Sequence, residues 1–318
     1  MNPILSVCIP TYNRDKYLDK TIESIVKQKR FQETMDVEIV ISDNCSEDYT
    51  YQIVEKYKNN YGEKIKYYKN DFNIQAKFNI EKALSHGRGS FLKLNNDSLI
   101  HIDGSLDLLI DTIMNNIAKK DILFFSNGIL KNRNMILNNL NSFVSEVSFY
   151  STWIVCFGIW KDDFDTITDF NKHANLLLPH TSVLFSLITE RKNIFINNDR
   201  IFIPLETGTK GGYDLVVVFL DNYFTILIEY VERGVLKYDT MKIEKRKVLL
   251  KFLMRWLINC KTKPKQYYFT YLNYQAKIFY HFQNDKIILY IFWILFYVKL
   301  SIYFIYTKLK RAKLSLLY

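Results

Sequence analysis

The strongest constraint on this chain is the alternation in its first hundred residues. Leu5–Pro10, Val37–Ser42, Lys64–Lys69 and Phe91–Leu94 are runs of strand length, three of them nearly continuous in apolar residues. Between them lie Asp15–Gln28, Glu47–Asn59 and Asn73–Ser85. The first of these carries Leu18, Ile22, Ile25 and Val26 at helical spacing, and the second carries Ile53, Val54 and Tyr57. Strands without a polar face are buried on both sides, and strict strand–helix alternation joins parallel strands through crossover helices. The sequence therefore reads as an α/β fold with a mostly parallel central sheet and flanking helices. A helix over Asp107–Ala118 and a strand over Asp121–Ser126 continue the pattern.

Three of the strands run into polar side chains. The first ends in Pro10-Thr11-Tyr12-Asn13-Arg14, the second in Ser42-Asp43-Asn44, and the fourth in Asn95-Asn96-Asp97-Ser98. Open α/β sheets bind ligands beyond the carboxyl ends of their strands. The three ends predict one shared site, with Asp97 at its centre.

The middle of the chain is less regular. Ser151–Trp160 reads as a strand leading into an acidic loop that holds Asp162 and Asp163. Pro179–Thr189 reads as a helix with proline at its first position. Gly208–Gly212 is the one glycine cluster and reads as a loop.

Charge divides the chain. Residues 233–318 hold 18 Lys/Arg against 3 Asp/Glu, a net of +15, whereas residues 1–232 have a net of −5. The reading is a site-bearing domain over 1–232 and a helical, basic and aromatic tail over 233–318. Ile287–Tyr306 is apolar apart from Lys299 and is long enough to span a bilayer. A single span from a cytosolic domain would put the following Lys308-Leu309-Lys310-Arg311 outside, against the positive-inside tendency. A helix lying in the interface of an anionic membrane is the preferred expectation. Pairing of subunits through the same apolar surface stays open beside it. Nucleic acid is excluded as a partner, because the basic residues alternate with an apolar stretch that suits lipid better than phosphodiester tracking. Four cysteines without metal spacing predict free thiols in a reducing compartment, and a start on a strand rather than a leader predicts retention in the cytosol.

The ordered pieces Ile9-Pro10-Thr11-Tyr12-Asn13-Arg14, Ser42-Asp43-Asn44-Cys45-Ser46-Glu47-Asp48, Asn73 with Asn79, Ala83-Leu84 then Gly89-Ser90-Phe91, and Leu94-Asn95-Asn96-Asp97-Ser98 resemble glycosyltransferase family 2. Its members are nucleotide-sugar transferases of the GT-A fold, a Rossmann-like sheet with flanking helices. The resemblance covers about the first 105 residues. The middle looks like the subgroup that builds bacterial O-antigen and capsule-type glycans.

The resemblance implies a nucleotide-diphosphate sugar donor. Asp43 would accept from the base, and Pro10, Thr11, Tyr12, Arg14, Asn73, Asn79, Asn95 and Asn96 would surround base, ribose and diphosphate. Asp97 would hold a divalent Mn²⁺ or Mg²⁺. Asn95 stands where the family carries the first acid of its D-x-D stretch, so metal dependence is weakened. Inversion would need a proton acceptor. His180 stands where an acid is expected, with Asp162 and Asp163 as alternatives. The acceptor would be a lipid-linked glycan, and the enzyme would lie peripherally on the cytoplasmic face of the bacterial inner membrane. The two missing acids also leave room for a catalytically silent nucleotide-sugar-binding or partner subunit.

Overall fold

A computed structural model describes residues 2–190, 193–208, 210–271 and 273–315, with backbone alone for 310–315. The first half winds as expected: β1 (Leu5–Thr11), α1 (Asp15–Val26), α2 (Lys29–Glu33), β2 (Val37–Asp43), α3 (Thr50–Tyr61), β3 (Ile65–Lys69), α4 (Ala76–Ser85) and β4 (Phe91–Leu94). There follow β5 (Leu99–His101), α5 (Ser105–Asn116), β6 (Ile122–Phe125), β7 (Met135–Leu137), α6 (Leu140–Val147), β8 (Gly158–Trp160), α7 (Lys161–Thr166), α8 (Pro179–Glu190), β9 (Ile194–Asn197) and β10 (Phe202–Pro204). The main sheet has the order β3-β2-β1-β4-β8. The first four strands are parallel and β8 is antiparallel to β4. β6-β9-β7 and β5-β10 form two smaller sheets.

The strands are where continuous apolar runs predict them, because both faces are covered. Val7, Ile9, Ile39, Ile41, Leu92 and Leu94 are all buried. At the amino ends of β1 and β2 the buried Glu38 takes a fork from Arg88 (Nε 2.9 Å, Nη2 2.7 Å) and a hydrogen bond from Ser6 Oγ (2.7 Å). Gly89 donates to the same Ser6 Oγ at 2.7 Å.

Besides the glycine cluster, expected as a loop but part of a strand from Lys210 onward, three expectations change. Ser151–Trp160 is not one strand: 3₁₀ turns occupy Ser148–Thr152 and Ile154–Cys156, and only Gly158–Trp160 pairs. An apolar run cannot by itself distinguish a buried turn from a strand. The acidic stretch after it is the short helix α7, not a loop.

The third change is the boundary. The chain divides into Met1–Thr207 and Gly208–Tyr318, not at residue 232. The second unit holds β11 (Lys210–Asp214), α9 (Tyr223–Glu232), α10 (Tyr238–Lys247), α11 (Met254–Thr262), β12 (Tyr267–Thr270), α12 (Tyr274–Phe282) and α13 (Lys286–Ser315). β11 pairs in parallel with β12, which ties the glycine cluster to the tail. A Cβ at Gly211, where φ is +152°, would lie 2.6 Å from the Tyr268 carbonyl carbon, so the glycine there permits a close strand pair. Thr209 of that cluster lies outside the described residues. Lys286–Leu309 is long and apolar enough to cross a membrane by length and composition. Lys310 and Arg311 of the basic run lie outside the residues whose side chains are described.

Candidate active site

The strand order turns back between β1 and β4, which opens a crevice beyond their carboxyl ends. Thr11, the last residue of β1, closes that crevice by donating from Oγ1 to Asp97 Oδ2 at 3.0 Å. Arg14 Nη1 lies 3.5 Å from the other carboxylate oxygen. The structure thus brings Thr11 and Arg14, neighbours at the end of β1, to Asp97, 86 residues beyond Thr11. Burial raises the pKa of the Asp97 carboxyl, and Arg14 and the Thr11 hydroxyl offset this only in part.

Asp43 ends β2 in register with Thr11. It is fully buried. Its Oδ1 accepts from the Ser46 amide (2.8 Å) and its Oδ2 from Tyr67 hydroxyl (2.5 Å). An ionised carboxylate offers about four lone-pair sites, so a further donor such as a ring N–H can still be accepted. Burial first, then Asp43, raises the pKa of Tyr67, which keeps this phenol protonated and donating.

The loops beyond β1 and β2 are zipped together. Asn13 at φ +50° donates from its amide to Ser46 Oγ (2.9 Å) and accepts from the Glu47 amide (2.8 Å), while Asp48 accepts from the Asp15 amide (3.0 Å). Tyr12 stands outward, 43% exposed. Asn73 accepts from Asn44 Nδ2 and from the Gln75 amide, both at 2.8 Å. Asn79 joins α4 to Ser42, accepting from its hydroxyl (2.7 Å) and donating to its carbonyl (2.8 Å). Asn73 and Asn79 therefore shape the wall of the crevice from behind. Pro10 precedes Thr11 within β1 and is half-buried.

Asn95 is turned into the protein. Its Oδ1 accepts from His101 Nε2 (3.0 Å) and its Nδ2 donates to the Asn96 carbonyl (2.8 Å). His101 Nδ1 accepts from Ser105 Oγ (3.3 Å), which in turn accepts from Gln28 Nε2 (3.1 Å). Burial pushes His101 down to about 3, so the whole chain of groups is uncharged at neutral pH. Asn96, half-buried, lies between Asn95 and Asp97.

The proton-acceptor candidates separate. β8 is antiparallel to β4, with Trp160 opposite Phe91, so α7 begins beside the amino end of β4. Asp162 and Asp163 are thus carried to the edge of the sheet opposite Asp97, and Asp162 pairs with Lys120. His180 lies against the 152–157 segment, whose Phe157 carbonyl accepts from the Leu94 amide at the carboxyl end of β4 (3.1 Å). Its Nε2 donates to the Thr152 carbonyl at 3.0 Å, and its buried Nδ1 has no partner. Burial pushes His180 down to about 4.

Among the described residues no three His, Cys, Asp or Glu side chains gather as a metal-ligand set. One carboxylate beside a hydroxyl, Asp97 with Thr11, is an oxygen site. It suits a hard divalent ion that takes its other ligands from water and a substrate's phosphates. Tyr67, Ser46 and His101 escape a reading of strand ends. The alternation that aims Tyr67 and Asp43 to one face of neighbouring strands was the available signal.

This crevice in a 3-2-1-4 parallel sheet defines an α/β fold of the GT-A class. Residues 6–124 match the model of "Glycosyl transferase family 2", so that stretch of the chain is similar to that family. Over 88 residues the chain is 39% identical to abequosyltransferase RfbV of Salmonella typhimurium, covering 28% of this chain and 26% of that protein. Over 108 residues it is 32% identical to the GalNAc(5)-diNAcBac-PP-undecaprenol beta-1,3-glucosyltransferase of Campylobacter jejuni, covering 34% and 33%. The chain thus spans between a quarter and a third of the length of these relatives. Among solved structures, S. aureus TarS 1-349 with UDP-GlcNAc superposes with a TM-score of 0.57 at 18% identity, over 89% of this chain and 80% of that one. The mannosyltransferase PcManGT of Pyrobaculum calidifontis, with GDP-Man and Mn²⁺, gives 0.51 at 12%, over 74% and 65%.

Proposed function

We propose that the protein is a glycosyltransferase that moves a sugar from a nucleotide-diphosphate donor to a hydroxyl of a bacterial cell-surface glycan, with a lipid-linked acceptor at the cytoplasmic membrane face. The observation that carries this reading is the meeting of Thr11, Arg14 and Asp97 across the β1–β4 crevice, beside a buried Asp43 with acceptor capacity to spare. One relative is named as an abequosyltransferase, and another as a glucosyltransferase of an undecaprenol-linked glycan, GalNAc(5)-diNAcBac-PP-undecaprenol.

Asp43 accepts from the base, and Tyr67 and Ser46 fix its carboxylate for that contact. Thr11 and Arg14 orient Asp97. Tyr12, Pro10 and Asn96 border ribose and diphosphate, while Asn73 and Asn79 hold the wall. Asp97 is the residue that would hold Mg²⁺ or Mn²⁺; when bound, such an ion offsets charge on the leaving diphosphate. Asn95, engaged with His101, adds no charge, and Arg14 supplies the fixed positive charge nearest to Asp97.

Of the proton acceptors, His180 is favoured over Asp162 and Asp163 by its place near the carboxyl end of β4. Its Nε2–H is committed to Thr152, which leaves Nδ1 as the basic atom. His180→Gln should lower kcat with little change in donor affinity if this assignment holds. Equal losses in both would make His180 a packing residue.

A second reading, a silent nucleotide-sugar-binding or partner subunit, draws on the turning of Asn95 into the core. Thermal shift against a panel of nucleotides and nucleotide sugars, each with Mn²⁺, Mg²⁺ or chelator, tests binding. A ligand at a hundred times its Kd stabilises by about 2.7 kcal/mol. A metal-dependent shift lost in Asp97→Ala, together with release of the nucleoside diphosphate, supports transfer. Binding without any release supports the silent subunit. No shift with any nucleotide overturns both.

A further inference from the structure

The second unit contains a cavity of about 310 Å³ that has no part in the site described above. α10 contributes Lys242 and Lys245, and the end of α12 contributes Tyr280 and His281. Asn284 and Asp285 close it immediately before α13. The volume is at the lower end of the range for small-ligand sites.

The charges around it do not balance. Asp285 is occupied by Arg246 Nε at 2.7 Å. Asp221 is occupied by Lys277 at 3.1 Å and His281 Nε2 at 2.6 Å. Glu244 on α10 is buried and does not line the cavity. Lys242 and Lys245 have no carboxylate within ion-pairing distance among the described residues. The Lys245 ammonium lies over the rings of Phe224 (5.7 Å) and Phe282 (5.6 Å), half-buried. Burial pulls its pKa down and Asp221 only partly counters this. A half-buried cation with no ion-paired carboxylate, in a cavity with polar walls, is an environment that an anionic group completes.

The source of the anion follows from what comes next in the chain. α13 starts at Lys286, and its Ile287, Tyr290 and Ile294 are exposed at 73%, 68% and 62%. On the reading of the tail as a membrane anchor, a helix with that surface sits with its polar boundary at the headgroups. We propose that Lys242 and Lys245 form a phosphate-binding pocket for a membrane-lipid headgroup, seated where α13 enters the interface. The proposal rests on the reading of the tail as a membrane anchor and adds a defined site to it.

The test is flotation of the full chain with vesicles of phosphatidylcholine alone and of phosphatidylcholine with phosphatidic acid. The wild type is compared with Lys242→Gln/Lys245→Gln and with Lys263→Gln/Lys265→Gln, which removes the same charge elsewhere in the unit. Lys242→Gln alone, at an exposed position, guards against misfolding. The pocket predicts a loss of roughly thirtyfold in partition onto phosphatidic acid vesicles for the first pair, against about fivefold or less for the control pair. Equal losses for both pairs would reduce the effect to diffuse charge and overturn the pocket while leaving the anchor. Equal binding of wild type to neutral vesicles would do the same. Failure to bind any vesicle would overturn the anchor. In that case a saturable thermal shift with inorganic phosphate, absent in the first pair, would replace the lipid by a soluble phosphate, and no shift would remove the site altogether.

Discussion

At the scale of single residues the crevice collects groups that pure stability would not choose. Asp97 is nearly buried and its pKa is raised. For a carboxyl with a folded pKa above its unfolded one, ionisation costs stability, and that cost grows as pH climbs above the unfolded pKa and is complete above the folded one. Asp97→Asn should therefore raise stability by about 0.5–2 kcal/mol, while donor turnover falls by about a hundredfold or more. Chemical denaturation beside an activity assay checks both, and a variant that is less stable would show that the Thr11 and Arg14 contacts outweigh desolvation. Lys93 makes the same point from the opposite charge. Its buried ammonium donates to the carbonyls of Leu94 (3.0 Å) and Val155, and burial pulls it down to about 8. Because the folded value lies below the ordinary lysine value of 10.5, the unfolded chain binds more protons between these limits. Stability should then rise as pH climbs from about 8 towards 10.5. Lys93→Met should flatten that rise and add about 1–3 kcal/mol near pH 7, read from urea midpoints across pH.

At the scale of elements, the sequence disclosed the parts whose signal is local. Continuous apolar strands, helical spacing in α1 and the polar ends after β1, β2 and β4 are all properties of neighbouring residues, and all reappear in place. What stayed hidden depends on long-range pairing. Nothing in Gly158–Trp160 states that it runs antiparallel to β4, yet that direction decides where Asp162 and Asp163 lie. The turning of Asn95 towards His101 depends on the fold of the 96–101 segment and on Gln28 from the turn between α1 and α2. The β1–β4 junction shows how tightly the elements are set. A Cβ at Gly89 would lie 2.6 Å from the Ser6 amide nitrogen and 2.8 Å from the Leu5 carbonyl carbon, both backbone atoms that cannot swing aside. Gly89→Ala should cost about 1–3 kcal/mol. The effect should appear as a lower urea midpoint with an unchanged slope, and an unchanged midpoint would mean that the strand edge shifts freely.

At the scale of the whole molecule, one protein joins a nucleotide-binding type of sheet to a basic unit with an exposed apolar helix. Deleting α13 would be a poor test of its role, because Phe292 and Phe296 are fully buried and Leu300 nearly so; they are part of the second unit's core. Its outer surface can be altered alone. Ile294 and Ile302, both 62% exposed, lie eight residues apart and so share one side of the helix. Replacing both with glutamate places two carboxylates on that side and leaves the core residues untouched. If the surface meets lipid, vesicle partition should fall by about a hundredfold, since a charge placed within the apolar layer costs on the order of 2 kcal/mol or more. Thermal unfolding and the nucleotide-induced shift should remain as in the wild type. If the same surface instead pairs two copies of the chain, light scattering will show the oligomer dissociating while vesicle binding is unaltered. Membrane attachment and self-association both need these two isoleucines apolar, and the two readouts of the double substitution separate them in one protein that still folds.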